Sequence, residues 1–138
     1  MKSFHCVLQA ARPTLPDVEE FVVENETMMG LRLPQLDTRF AKSFEEVATA
    51  FKALARMYFE PDGSFVWVVE EDQRYQLDGS LYDDGERLLN VDLKGTCNAK
   101  VLDEFLGCLG WPEQSILFQL VQQGFHLTES EFRKHFVR

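Results

Sequence analysis

Polar and apolar residues alternate with a period of two over the middle of the chain and recur every three or four residues on either side of it. Phe65 to Val69 is a β-branched and aromatic run, and the stretches after it alternate, with Asp62-Gly63 and Asp84-Gly85 as breaks. Such patterns between turn residues mark strands, so this region reads as an antiparallel meander with strands near 65–70, 74–82 and 87–94. Phe4, Cys6 and Leu8 alternate with His5, Val7 and Gln9. Residues 3–9 are therefore expected to join the same sheet.

Helical spacing dominates elsewhere. Ser43 with Glu46 forms a capping box, and Phe44, Val47, Ala48, Phe51, Leu54, Ala55 and Tyr58 recur at spacings of three and four, which predicts a helix over 43–59. Thr96 or Asn98 can cap a helix over 98–109 that turns Val101, Leu102, Phe105, Leu106 and Leu109 inward. Pro112 suits the first position of a helix over 112–123, with Gly124 past its end. Thr128 with Glu131 is a further capping box, opening a helix over 128–137 whose basic residues lie near its end. Thr14 and Asp17 resemble a third box, which gives a short acidic helix ending near Asn25, with a strand through 21–23 as the alternative. Residues 26–42 read as extended chain with room for a second strand. The expected fold is α+β, an antiparallel meander packed on one face by helices, over a single domain of residues 1–138.

Side-chain direction sets the register of the meander. A three-residue loop, Asp84 to Glu86, pairs Leu77 with Leu93, Gly79 with Val91 and Leu81 with Leu89, keeping the apolar set on one face. On the other face the same register sets Gln76 against Lys94, Asp78 against Asp92 and Ser80 against Asn90. Two carboxylates directly across a sheet repel unless a cation lies nearby, so Lys94, Arg74, a metal ion or a basic side chain from a partner is expected to compensate. The row Arg74, Gln76, Asp78, Ser80, Tyr82, Asn90, Asp92 and Lys94 becomes the candidate binding face.

Charge narrows the partners. The 138 residues carry 14 Lys and Arg against 23 Asp and Glu, a net charge of -9, so the mean field repels nucleic acid and anionic membrane surfaces. No apolar stretch reaches the roughly 20 residues of a membrane helix, and the N-terminal residues are too polar for a signal peptide. A basic protein is the partner this charge suits. Cys6, Cys97 and Cys108 are an odd set without paired spacing, which argues against a disulfide framework or zinc module and for a reducing cytoplasm.

Other chemistry is sparse. Cys97 precedes a helix start, where a thiol pKa can fall, and is the candidate reactive thiol. His5, His126 and His135 are scattered, and no metal or cofactor is expected. Residues 114–128 hold no Asp, Glu, Lys or Arg and are too apolar for one helix face; Phe118 and Phe125 are the candidate contacts of a homo-oligomer. The reading that follows is a small acidic cytoplasmic protein without catalytic activity, binding another protein as an adaptor, inhibitor or chaperone does. The alternative is a small ligand-binding domain or enzyme that uses the Asp78 and Asp92 pair or Cys97.

Overall fold

Short-range pairing builds most of the sheet, and one long-range insertion completes it. The computed structural model describes residues 2–33 and 38–137. Its strands are β1 (Phe4–Ala10), β2 (Glu19–Val23), β3 (Glu26–Gly30), β4 (Met57–Phe59), β5 (Ser64–Glu70), β6 (Arg74–Asp83), β7 (Leu88–Thr96), β8 (Ile116–Leu120) and β9 (His126–Thr128). The helices are α1 (Phe44–Lys52), α2 (Ala99–Cys108) and α3 (Glu129–Phe136). Seven strands form one sheet in the order β4-β5-β6-β7-β1-β8-β9, and β2 pairs with β3 in a separate hairpin. The architecture is α+β, dominated by antiparallel sheet.

Strand β1 is interior to the sheet, hydrogen-bonded to β7 on one side and β8 on the other. Its alternation is literal: Phe4, Cys6, Leu8 and Ala10 are buried while His5, Val7 and Gln9 point to the opposite face. On the buried side, Phe51 of α1 and Phe105 of α2 meet Phe65 of β5, at ring separations of 5.1 and 5.6 Å. Phe132 of α3 meets Phe4 edge-on at 5.0 Å and stacks on Phe118 at 4.2 Å. These rings belong to one sheet face, and such contacts add to the large apolar area each ring removes from water.

The helix caps are those the sequence signals. Ser43 Oγ accepts from Glu46 N at 3.1 Å and Glu46 Oε1 accepts from Ser43 N at 3.0 Å, a complete box. Asn98 caps α2, accepting from Val101 N at 2.9 Å. Thr128 accepts from Glu131 N at 3.3 Å, but the Glu131 carboxylate turns away to accept from Met29 N of β3 at 2.9 Å.

Three expected elements differ. The helix expected over 43–59 ends at Lys52; Arg56 adopts a left-handed φ of 61°, and Met57–Phe59 becomes edge strand β4. Trp67 Nε1 donates to Ala55 O at 3.0 Å and holds that turn. The helix expected over 112–123 is instead a turn followed by strand β8, hydrogen-bonded between β1 and β9 with Ile116, Leu117, Phe118 and Leu120 all buried. The acidic helix near residues 14–25 gives way to its alternative, a strand: Glu24 and Asn25 have φ of 50° and 67°, the two-residue hairpin turn that joins β2 to β3. β3 is the second strand in residues 26–42; the part of that reading at residues 34–37 lies outside the described residues.

Candidate functional site

The face of the sheet opposite the helices carries the polar row, but in a register two residues from the expected one. Asp78 lies opposite Lys94, Ser80 opposite Asp92, Tyr82 opposite Asn90, and Gln76 opposite Thr96. The facing pair Asp78 and Asp92 is therefore not formed. The ladder shifts between Tyr82 and Asp83, and the turn closes over four residues, Asp84 N donating to Arg87 O at 3.2 Å. A two-residue displacement leaves every side chain on its expected face, so the row survives while its partners change.

Asp84 holds that turn. Its carboxylate accepts from Arg39 Nε at 2.8 Å and from the backbone of Glu86 and Arg87, each at 2.9 Å. The Arg39 guanidinium, then those two N–H groups, hold the carboxyl well below the usual carboxylate range.

Across the strands the open face reads Tyr58, Val66, Asp78, Lys94 and His5, each the register partner of the next. Five strands at about 4.8 Å spacing make this row roughly 19 Å long. Asp78 accepts from the Gln76 amide at 3.0 Å. Asp92 finds its hydrogen-bond partner in β1, with Oδ1 2.8 Å from His5 Nε2. Arg74 turns to Glu70 at 3.9 Å at the far end of β6. Among these polar groups the face also exposes large apolar side chains: Tyr58 is 66% exposed, Val66 37% and Tyr82 52%. Toward β8 and β9 it closes, and Leu117 and His126 are buried there.

Beside this row, where β1 begins and β7 ends, a cleft of about 510 Å³ opens. His5, Asp78 and Lys94 of the sheet line it together with Val23, Glu24 and Phe136. Lys94 makes no hydrogen bond or ion pair among the described residues.

The remaining candidates lie in the interior. Cys97 is buried, and that burial pushes its thiol up to about 12, the opposite of what a nucleophile at neutral pH requires. Phe118 and Phe125 are also buried: Phe118 stacks on Phe132, and Phe125 stacks on Phe21 at 4.0 Å. The apolar run at residues 114–128 thus packs within the chain and offers neither ring as an outer contact. Among the described residues no group of three or more His, Cys, Asp or Glu is placed to hold a metal ion, and no helix is long and apolar enough to cross a membrane.

His5, Tyr58 and Val66 are members of the face that the sequence reading does not single out. The alternation of β1 placed His5 opposite Cys6, but nothing local reveals that β1 pairs with β7. Comparison with protein-family models, curated proteins and solved structures found no match.

Proposed function

We propose that the chain is a non-catalytic protein-binding module whose open sheet face docks another protein. The observation that carries this reading is the exposure of Tyr58, Val66 and Tyr82 on a sheet face where no helix packs among the described residues. Tyrosine supplies large contact area with a polar tip and is favoured at the centre of interfaces. The neighbouring charges of Asp78, Lys94, His5 and Asp92 would orient the partner more than hold it. The net charge of -9 suits a partner with a basic surface, and three free buried cysteines fit a cytoplasmic protein.

A catalytic reading has less support. It relied on two facing carboxylates, which are parted by the register, or on Cys97, whose thiol is buried. The test is affinity capture from the native cell with the unaltered chain, a Val66→Glu, Tyr82→Glu variant and a Lys52→Glu control on α1. A protein captured by the first and third but lost with the second supports the reading. Equal capture by all three overturns it.

A further inference from the structure

We propose that the cleft at the start of β1 and the end of β7 binds a small zwitterion of the α-amino-acid class with an apolar side chain. Asp78 and Lys94 stand opposite one another on adjacent strands and line the same cleft, yet they form no ion pair with each other. Opposite charges on directly facing positions ordinarily close on one another. A ligand carrying an ammonium and a carboxylate on one carbon meets both at once, its ammonium toward Asp78 and its carboxylate toward Lys94. Glu24, on the β2–β3 hairpin turn, also lines the cleft and is a further acceptor for an ammonium.

The rest of the lining sets the third substituent. Phe4, Leu120 and Phe136 contribute apolar surface, which suits a branched aliphatic or aromatic side chain and leaves a polar one unsatisfied. The cleft of about 510 Å³ falls within the usual size of small-ligand sites. A polyanion is disfavoured by Asp78 and Glu24 within the lining, and a simple cation by Lys94. The cleft shares His5, Asp78 and Lys94 with the docking face, but the proposal does not rest on that reading, whose apolar contacts are Tyr58, Val66 and Tyr82.

The test is a titration of the ¹⁵N-labelled chain with L-phenylalanine, N-acetyl-L-phenylalanine and L-phenylalaninamide, each to about 10 mM. L-Phenylalanine is expected to give saturable shifts at residues 3–5, 94–95 and 120–123. Blocking either charged end is expected to weaken binding by about tenfold or more, the usual worth of a charge-assisted bond. Lys94→Gln weakens the free amino acid but not the amide, and Asp78→Asn weakens it but not the N-acetyl form. Both positions are on the open face, and an unchanged melting temperature shows that each variant is folded. Absence of saturable shifts, or equal binding of the free and blocked forms, overturns the proposal. No protein partner enters this titration, so its outcome is independent of the docking reading.

Discussion

Nε2 of His135 lies 2.8 Å from Oε2 of Glu131, one turn earlier on α3, while Nδ1 bonds to Glu26 of β3. Ionised carboxylates only accept, so both bonds are made together when the ring carries both protons. The same Glu131 oxygen accepts from Met29 N, and Glu26 also receives Lys2. The cluster therefore fastens the β2–β3 hairpin to α3 and to the start of the chain. His135→Ala leaves both carboxylates without this partner, and is expected to cost about 2 kcal/mol in urea unfolding. For Glu131, burial pushes the carboxyl up, but the bonds from Met29 and His135 outweigh it and hold it below 4.5. The bonds from Lys2 and then His135 hold Glu26 below 4.5 as well. Their stabilisation is present above that value and is lost as the pH falls through the lower folded values. Glu131→Gln should flatten this acid limb; an unchanged limb would remove the cluster from the account.

His126 adds to the same acid limb through burial rather than through an ion pair. Gln9 Nε2 donates to Gln119 Oε1 at 3.3 Å, so Gln9 Oε1 is left to accept from His126 Nε2 at 2.9 Å. That places the neutral ring's proton on Nε2 and leaves the buried Nδ1 without a hydrogen-bond partner. Burial holds the His126 pKa below 6.5. The unfolded chain therefore binds the proton first, and stability falls as the pH drops from 6.5 toward the folded value. Urea unfolding between about pH 7 and about pH 5 should show this slope in the unaltered chain and a shallower one in His126→Gln. Identical slopes would contradict it.

The thiols give a third expectation. Burial pushes Cys97 up to about 12 and Cys108 up to about 11, and raises Cys6 as well, with Asp92 adding to the effect. All three should resist a thiol reagent at neutral pH in the folded chain and react together once it is unfolded. Rapid modification of Cys97 in the folded chain would restore the nucleophile reading.

What could be read without the structure follows from the range of the forces involved. The caps at Ser43, Asn98 and Thr128 are local and were legible, as was the meander from residue 64 to residue 96. The register was displaced by one residue because the turn has four residues and by another at the irregularity between Tyr82 and Asp83, and neither has a signature in an alternating pattern. Strand β8 read as a helix because a strand buried on both faces loses its alternation, leaving an apolar run that fits either element. Tyr58 continued the spacing of α1, but the turn over residues 53–56, ending in the left-handed Arg56, separates it from a helix that stops at Lys52. The pairing of β1 between β7 and β8, which brings His5 to Asp92, joins residues 87 apart in the chain. No local pattern encodes that.

Gly79 makes the observed register testable. A Cβ built there would stand 1.8 Å from Asp92 O on β7, closer than any side chain can approach backbone. Gly79→Ala is expected to reach or exceed the upper end of the roughly 1–3 kcal/mol that overpacking costs, whereas Ser80→Ala on the neighbouring position should change little. In the expected register Gly79 would instead face Val91. A mild effect of Gly79→Ala on the urea midpoint would count against the two-residue displacement.

The docking claim is tested most directly by oxidative footprinting of Tyr58 and Tyr82 in the free chain and in complex with the captured partner. Both are exposed on the open face, while Val22 and Val121 are exposed elsewhere. The account predicts strong protection of Tyr58 and Tyr82 in the complex with Val22 and Val121 unchanged. Protection at Val22 and Val121 with the two tyrosines still oxidised would place the partner elsewhere and contradict it.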